Sequence, residues 1–199
     1  MRRREQLGTD FTTVYNRFLG KITDDMYVEL TPQDTIRDLR NMLIDAIPGF
    51  EFPRHNLYDY EIAQEIKNQD EVDENDFVIG VLWDELETDE LDDAPPVAVE
   101  HSKFAATLTS EEINILAILM MCSWLQRQVT SIENIRMKYS GSDFKMTSQA
   151  NHLSKLLSLL NECHRQSHHM QRLYKRRKIG SDGSYQSNWS SLRETSALE

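Results

Sequence analysis

The sequence predicts a mainly α fold: a helical bundle with a long αα-hairpin, a small inserted β-hairpin and an extended C-terminal tail. Three observations predict it. Apolar residues recur at helical spacing in four stretches, two of them long and separated only by a Ser-Gly-Ser break at 140–142. One stretch, from Leu57 to Trp83, instead alternates and then runs apolar. Beyond Gly180 all periodicity stops.

The first helix is expected from about Asp10 to Ile22. Phe11, Val14, Tyr15, Phe18, Leu19 and Ile22 form its apolar stripe, with Asp10 as N-cap. A second helix starts with Thr31 as N-cap and Pro32 at the first helical position, where its missing N–H costs nothing. Asp34 suits the positive end of that helix dipole, and Ile36, Leu39, Leu43 and Ile47 mark the buried face. Pro48-Gly49 stops it.

Tyr58, Tyr60 and Ile62 alternate, and Phe77 to Trp83 reads as a buried strand after the polar loop Asn68–Asp76. The expectation is a β-hairpin, or two strands of a small sheet; two strands alone are marginal, so they should pack on the helices or pair with a neighbouring subunit. Residues 85–96 are acidic and end in Asp-Asp-Ala-Pro-Pro, which predicts an exposed loop.

Thr109 and Glu112 form a capping box for a third helix that carries Ile113, Leu116, Ala117, Met120, Trp124 and Ile132 on toward Tyr139. At roughly thirty residues it would be about 45 Å long. A fourth helix is expected from a Thr147 cap to about Lys178, with a face of Leu153, Leu156, Leu157 and Leu160. The short link between them makes an antiparallel hairpin. The expected organisation is one domain, with N-terminal helices over 1–56, an acidic β-containing insertion over 57–103, the helical hairpin over 104–178 and the tail over 179–199.

At 199 residues, with 39% hydrophobic and 28% charged, the chain can bury a core of its own. Its net charge of -11 hides an asymmetry. Between Asp59 and Glu100 Lys67 is the lone base, whereas every charge between Cys163 and Lys178 is basic. Cys122 and Cys163 lie in apolar helical patterns without a C-x-x-C partner, which predicts buried free thiols in a reducing compartment. No apolar stretch follows the basic N-terminus, which argues against a secretory signal. The most apolar run, Ile113 to Leu125, is short of the roughly 20 residues a membrane span needs, so a soluble chain made in the cytoplasm is expected.

Catalytic signatures are missing from the sequence: there is no G-x-S-x-G, Walker A, G-x-G-x-x-G or H-E-x-x-H. The reading is therefore non-enzymatic, with no cofactor. Cys163, His164, His168 and His169 are the best metal candidate, with His164 and His168 on one helix face. Cys163 points elsewhere, so no metal site is assigned. The acidic cluster from Glu85 to Asp93 lacks the residue order and glycine of a calcium loop. Lys175, Arg176, Arg177 and Lys178, beside Tyr174, are positioned either to meet phosphates, to complement the helix dipole or to dock on an acidic protein surface. Tyr185, Trp189 and Leu192 are large groups in an otherwise polar tail; either they are incidental or they dock on a partner as the tail orders.

Several segments resemble structural proteins of tailed bacteriophages. They are Phe-Leu-Gly-Lys-Ile-Thr-Asp-Asp-Met-Tyr at 18–27, Phe-Glu-Phe-Pro-Arg at 50–54 and Leu-Thr-Ser-Glu-Glu-Ile-Asn-Ile-Leu-Ala at 108–117. Ser-Gly-Ser-Asp-Phe-Lys-Met-Thr-Ser-Gln-Ala-Asn-His at 140–152 and Arg-Leu-Tyr-Lys-Arg-Arg-Lys at 172–178 complete the set. Together they resemble head–tail connector (neck or adaptor) proteins. The resemblance implies a virion protein forming a homo-oligomeric ring, commonly twelvefold, that joins the portal protein to neighbouring neck or tail proteins and lines the passage for DNA. Packaged DNA would pass without specific contact. The acidic residues Glu85, Glu87, Asp89, Glu90, Asp92 and Asp93 would then repel phosphate in the channel. The alternative is a small nucleic-acid-binding or packaging-regulatory protein using the basic end of the last helix.

Overall fold

The computed structural model of the protein describes residues 8–22, 30–74, 76–81, 95–138, 147–179 and 185–187. Four α-helices dominate, accompanied by two small three-stranded sheets and one two-stranded pair.

Strand β1 (Thr9–Asp10) leads directly into helix α1 (Phe11–Leu19). Gly8 makes this entry possible. Its φ is 120°, and a Cβ there would lie 2.3 Å from the Phe104 carbonyl oxygen. Asp10 occupies the N-cap position as expected, but its side chain makes no capping bond. The Phe11 N–H instead donates to the Ser102 carbonyl at 2.8 Å, so the chain just before β6 supplies the partner. The helix also ends earlier than its apolar pattern, at Leu19, because Gly20 follows.

Helix α2 (Pro32–Ala46) starts as its residues dictate: Thr31 Oγ1 accepts from the Asp34 N–H at 3.2 Å. A 3₁₀ turn, Ile47–Gly49, then tightens the exit at Pro48-Gly49.

Among the described residues the expected strands do not pair as a β-hairpin; they belong to two small three-stranded sheets. Strand β2 (Tyr60–Glu61) pairs with β6 (Lys103–Phe104), which also pairs with β1, in the order β1-β6-β2. Strands β3 (Gln64–Lys67) and β4 (Val78–Val81) do not touch as partners. Both run antiparallel to β5 (Val97–Glu100), which lies between them. All four β5 residues are buried, as a central strand requires, while β3 is mostly exposed along its edge. The loop ahead of β4 contains a 3₁₀ turn, Gln69–Glu71, and is tied down where Lys67 Nζ meets Asp76 at 2.7 Å.

Helix α3 (Ser110–Lys138) has the anticipated capping box, with the Thr109 N–H donating to Glu112 Oε2 at 2.7 Å and the Glu112 N–H to Thr109 Oγ1 at 3.3 Å. Helix α4 (Thr147–Arg176) packs along it. Contacts pair Glu112 with Tyr174, Asn114 with Met170 and Ile118 with Cys163, so the two helices run in opposite directions. The tail does not simply extend. Strand β7 (Arg177–Ile179) pairs antiparallel with β8 (Tyr185–Ser187), which ends the helix at Arg176 rather than Lys178.

The main core joins α1, α2 and the first half of α3 around Phe11, Tyr15, Phe18, Leu39, Leu43 and Leu116. A second cluster fills the α3–α4 seam with Ile118, Cys122, Leu125, Leu153, Leu160 and Cys163. A third seats Ile36 of α2 on Ile79 and Ala98 of the sheet. Beside it, Arg40 of α2 pairs with the fully buried Glu100 of β5, and the Tyr15 hydroxyl lies near both without a hydrogen-bond partner.

The stretch Ser110–Ile132 is, among the described residues, one helix long and apolar enough to cross a membrane by length and composition. It exceeds the 113–125 run picked out in the sequence because the helix continues past Leu125 to Val129 and Ile132. Half of it is buried inside the fold, where its apolar residues pack on α1, α2 and α4.

Candidate functional site at the basic end of the last helix

The last turns of α4 carry the basic run, and the structure wraps other parts of the chain around them. The loop after α2 provides one side. Gln171, buried on α4, accepts from the Glu51 N–H at 2.7 Å and donates to the Gly49 carbonyl at 3.1 Å and to Ser167 Oγ at 3.2 Å. One side-chain amide thus satisfies two backbone groups of a loop that no sheet or helix would satisfy.

Three residues further along this loop, Arg54 reaches the end of α4. Its guanidinium donates to the Tyr174 carbonyl at 3.3 Å and to the Arg177 carbonyl, and it stacks 4.3 Å from the Tyr174 ring centre. The last carbonyls of a helix lack intrahelical donors and carry its negative pole, so a cation there satisfies both deficits. Phe52 lies under Lys175, whose ammonium sits 4.0 Å from the ring centre. Phe50 meets the edge of Tyr174 at 5.5 Å between ring centres.

The start of α3 provides the other side. Tyr174 donates its hydroxyl to Glu112 Oε1, while Glu112 Oε2 serves the capping box through the Thr109 N–H and hydroxyl. A single buried carboxylate therefore starts α3 and ties it to the end of α4. Burial, and next the hydrogen bond to Glu112 and that group's charge, push the Tyr174 phenol well above its ordinary value, with Arg54 opposing. Next to it, Arg177 pairs with Glu111 at 3.0 Å.

Tyr174 therefore has a different role from the docking or stacking group its position suggested. It is 1% exposed, so its ring is core. Lys175, Arg176 and Arg177 do lie on the surface, with Lys175 resting on Phe52 and Arg177 on Glu111. The side chains of Lys178 and Tyr185 lie outside the described residues, although their backbones belong to β7 and β8. Trp189 and Leu192 lie outside them entirely, as do Glu85, Glu87, Asp89, Glu90, Asp92 and Asp93.

The histidine cluster is split by the helix. Cys163 faces the seam with α3, whereas His164, His168 and His169 are exposed. His168 faces Glu51 at 3.2 Å. Among the described residues no group of three or more His, Cys, Asp or Glu is placed to hold a metal ion.

Sequence reasoning missed Arg54, Gln171 and the second duty of Glu112. A signal existed for the first. Phe50-Glu51-Phe52-Pro53-Arg54 puts two large aromatic rings and a proline in a loop, more apolar surface than a solvated turn needs. Nothing local marks Gln171, whose partners are about 120 positions away in sequence. No protein-family model matches the chain, and no curated protein or solved structure matches it.

Proposed function

We propose that the chain is a non-enzymatic structural protein of a tailed-phage virion, one subunit of a ring at the head–tail interface that joins the portal to the tail. One observation carries the reading. Three of the segments that resemble connector proteins, 50–54, 108–117 and 172–178, are far apart in sequence yet pack against one another through Arg54, Glu112 and Tyr174. The resemblance thus falls on a connected patch of the fold.

In this reading α3 and α4 act as a helical hairpin within a bundle that forms the ring wall. The basic end of α4 faces a neighbouring neck or tail protein, with Lys175, Arg176, Arg177 and Lys178 as contacts. Residues 179–199, with Tyr185, Trp189 and Leu192, form the docking arm. The acidic residues of 85–93 face the DNA passage and keep phosphate from sticking. The protein is made in the host cytoplasm, takes no cofactor and engages no membrane.

The test is an electron micrograph of particles from a phage whose copy of this gene is deleted. Full heads without tails are expected, and complementation with the intact gene restores tailed particles. Normal tailed particles from the deletion overturn the proposal. The nucleic-acid reading has less support, since Lys175 and Arg177 already rest on Phe52 and Glu111. A low-salt gel shift that disappears when Lys175, Arg176 and Arg177 become alanine would turn the balance toward it.

A further inference from the structure

The two cysteines, 41 positions apart in sequence, meet across the α3–α4 seam. The Cys163 sulfur lies 3.5 Å from the Ile118 carbonyl oxygen. That carbonyl sits one helical turn before Cys122 and is the one to which the Cys122 N–H points in an α-helix. Cys163 of α4 is therefore level with the turn of α3 that carries Cys122, and both side chains lie in the same buried cluster. Both belong to one buried apolar cluster, and both are reduced.

The seam is not sealed at this point. Cys122 lines a cleft of about 230 Å³ shared with Gly49, Leu119, Gln126 and His164. Cys122, itself 4% exposed, borders this opening beside the exposed His164. The opening is large enough for a molecule the size of water or hydrogen peroxide.

We propose that Cys122 and Cys163 are a dithiol modification site, which a small peroxide entering this cleft converts to an intramolecular disulfide that fastens α3 to α4. Cys122 is the attacking sulfur, because it is the cysteine that lines the cleft. The neighbouring Cys163 pushes its thiol down, with burial opposing, whereas Cys122 and burial push the Cys163 thiol up.

In the first step the Cys122 thiolate attacks one peroxide oxygen. The S–O bond forms, the O–O bond breaks, and the leaving hydroxide takes a proton to become water. In the second step the Cys163 sulfur attacks the Cys122 sulfenic acid, forming the S–S bond. The S–O bond breaks and the departing hydroxide takes the Cys163 proton, giving a second water. Two thiols and one hydrogen peroxide thus become one disulfide and two waters. The two cysteines face one seam at the same level of two packed helices, so the bridge needs only local adjustment to bring the Cβ carbons to bonding distance.

The test uses the purified full chain and hydrogen peroxide, read by intact mass and by peptide mapping. The expected product is a monomer lighter by two hydrogens, with the Cys122 and Cys163 peptides linked, and dithiothreitol restores both thiols. Thermal unfolding of the oxidised chain should rise by about 5–10 °C, since the bridge closes a long loop. In Cys163→Ala the reaction should stop at a sulfenic acid on Cys122, captured by dimedone. Where that variant fails to fold, the wild-type mass and map decide. Oxygen added to the cysteines without a bridge overturns the proposal. So do disulfide-linked dimers, or two intact thiols at a peroxide dose that oxidises the chain in urea.

Discussion

Arg54 and Tyr174 show how much one side chain can organise when its partners are a helix end and a buried acid. Arg54 has two roles at once, satisfying α4 carbonyls and covering the Tyr174 ring. Arg54→Ala removes both, and the unfolding free energy should fall by about 2 kcal/mol in urea titration. Lysine at this position should recover only part of that loss, because an ammonium cannot fork between two carbonyls while stacking on a ring. Tyr174→Phe keeps the packing but leaves Glu112 Oε1 without its donor, at a cost of about 1–2 kcal/mol at neutral pH. The same residue contributes to alkaline unfolding. Burial raises the Tyr174 phenol above its ordinary 10.0, and the Glu112 hydrogen bond and charge add to it. Its contribution is therefore fully present below about pH 10 and is lost as pH rises through the higher folded value. Stability measured from pH 8 to 12 should fall less steeply in Tyr174→Phe than in the wild type, with a remaining slope from Tyr15, whose phenol is raised by burial and the Glu100 charge.

At the level of elements, the β3–β5–β4 sheet shows why a short strand can be decisive. Val97–Glu100 was hidden in the sequence behind an acidic stretch and two prolines, which signal a loop. Only four residues long, it is nevertheless the strand on which both neighbours depend. The loop between β3 and β4 is held by Lys67 and Asp76, which are 20% exposed each. Burial acts to raise the Asp76 carboxyl, but the Lys67 hydrogen bond, the Asp73 N–H and the Lys67 charge together bring it below its ordinary 3.8. That contribution is present above pH 3.8 and disappears as pH falls through the lower folded value. Asp76→Asn should thus cost about 1 kcal/mol at pH 7 and flatten the loss of stability on acidification below pH 4, as followed by circular dichroism. The helices were more legible than the strands. Thr31 with Pro32, and Thr109 with Glu112, are local capping patterns whose geometry depends on residues no more than three positions apart.

For the molecule as a whole, the buried Arg40–Glu100 pair joins the helical layer to the sheet. Glu100→Ala leaves Arg40 largely buried with no counter-charge, so chemical unfolding should show a loss of about 3 kcal/mol or more. A loss under 1 kcal/mol would mean that the helices and the sheet are held together by apolar contact alone. The sequence by itself determined the mainly α class, the starts of α2 and α3, and most of the apolar faces that pack the core (Leu157 of α4 is exposed instead), because capping and periodicity act over one or two turns. It also placed a basic end on the last helix. Tertiary structure alone decided which strands pair, that Tyr174 is core and not surface, that Cys122 and Cys163 share one buried cluster, and that the 50–54 loop clasps the end of α4. Each of these depends on groups tens of residues apart brought together by burial, and no local pattern of residues encodes which distant partner will satisfy a carbonyl, a phenol or a thiol.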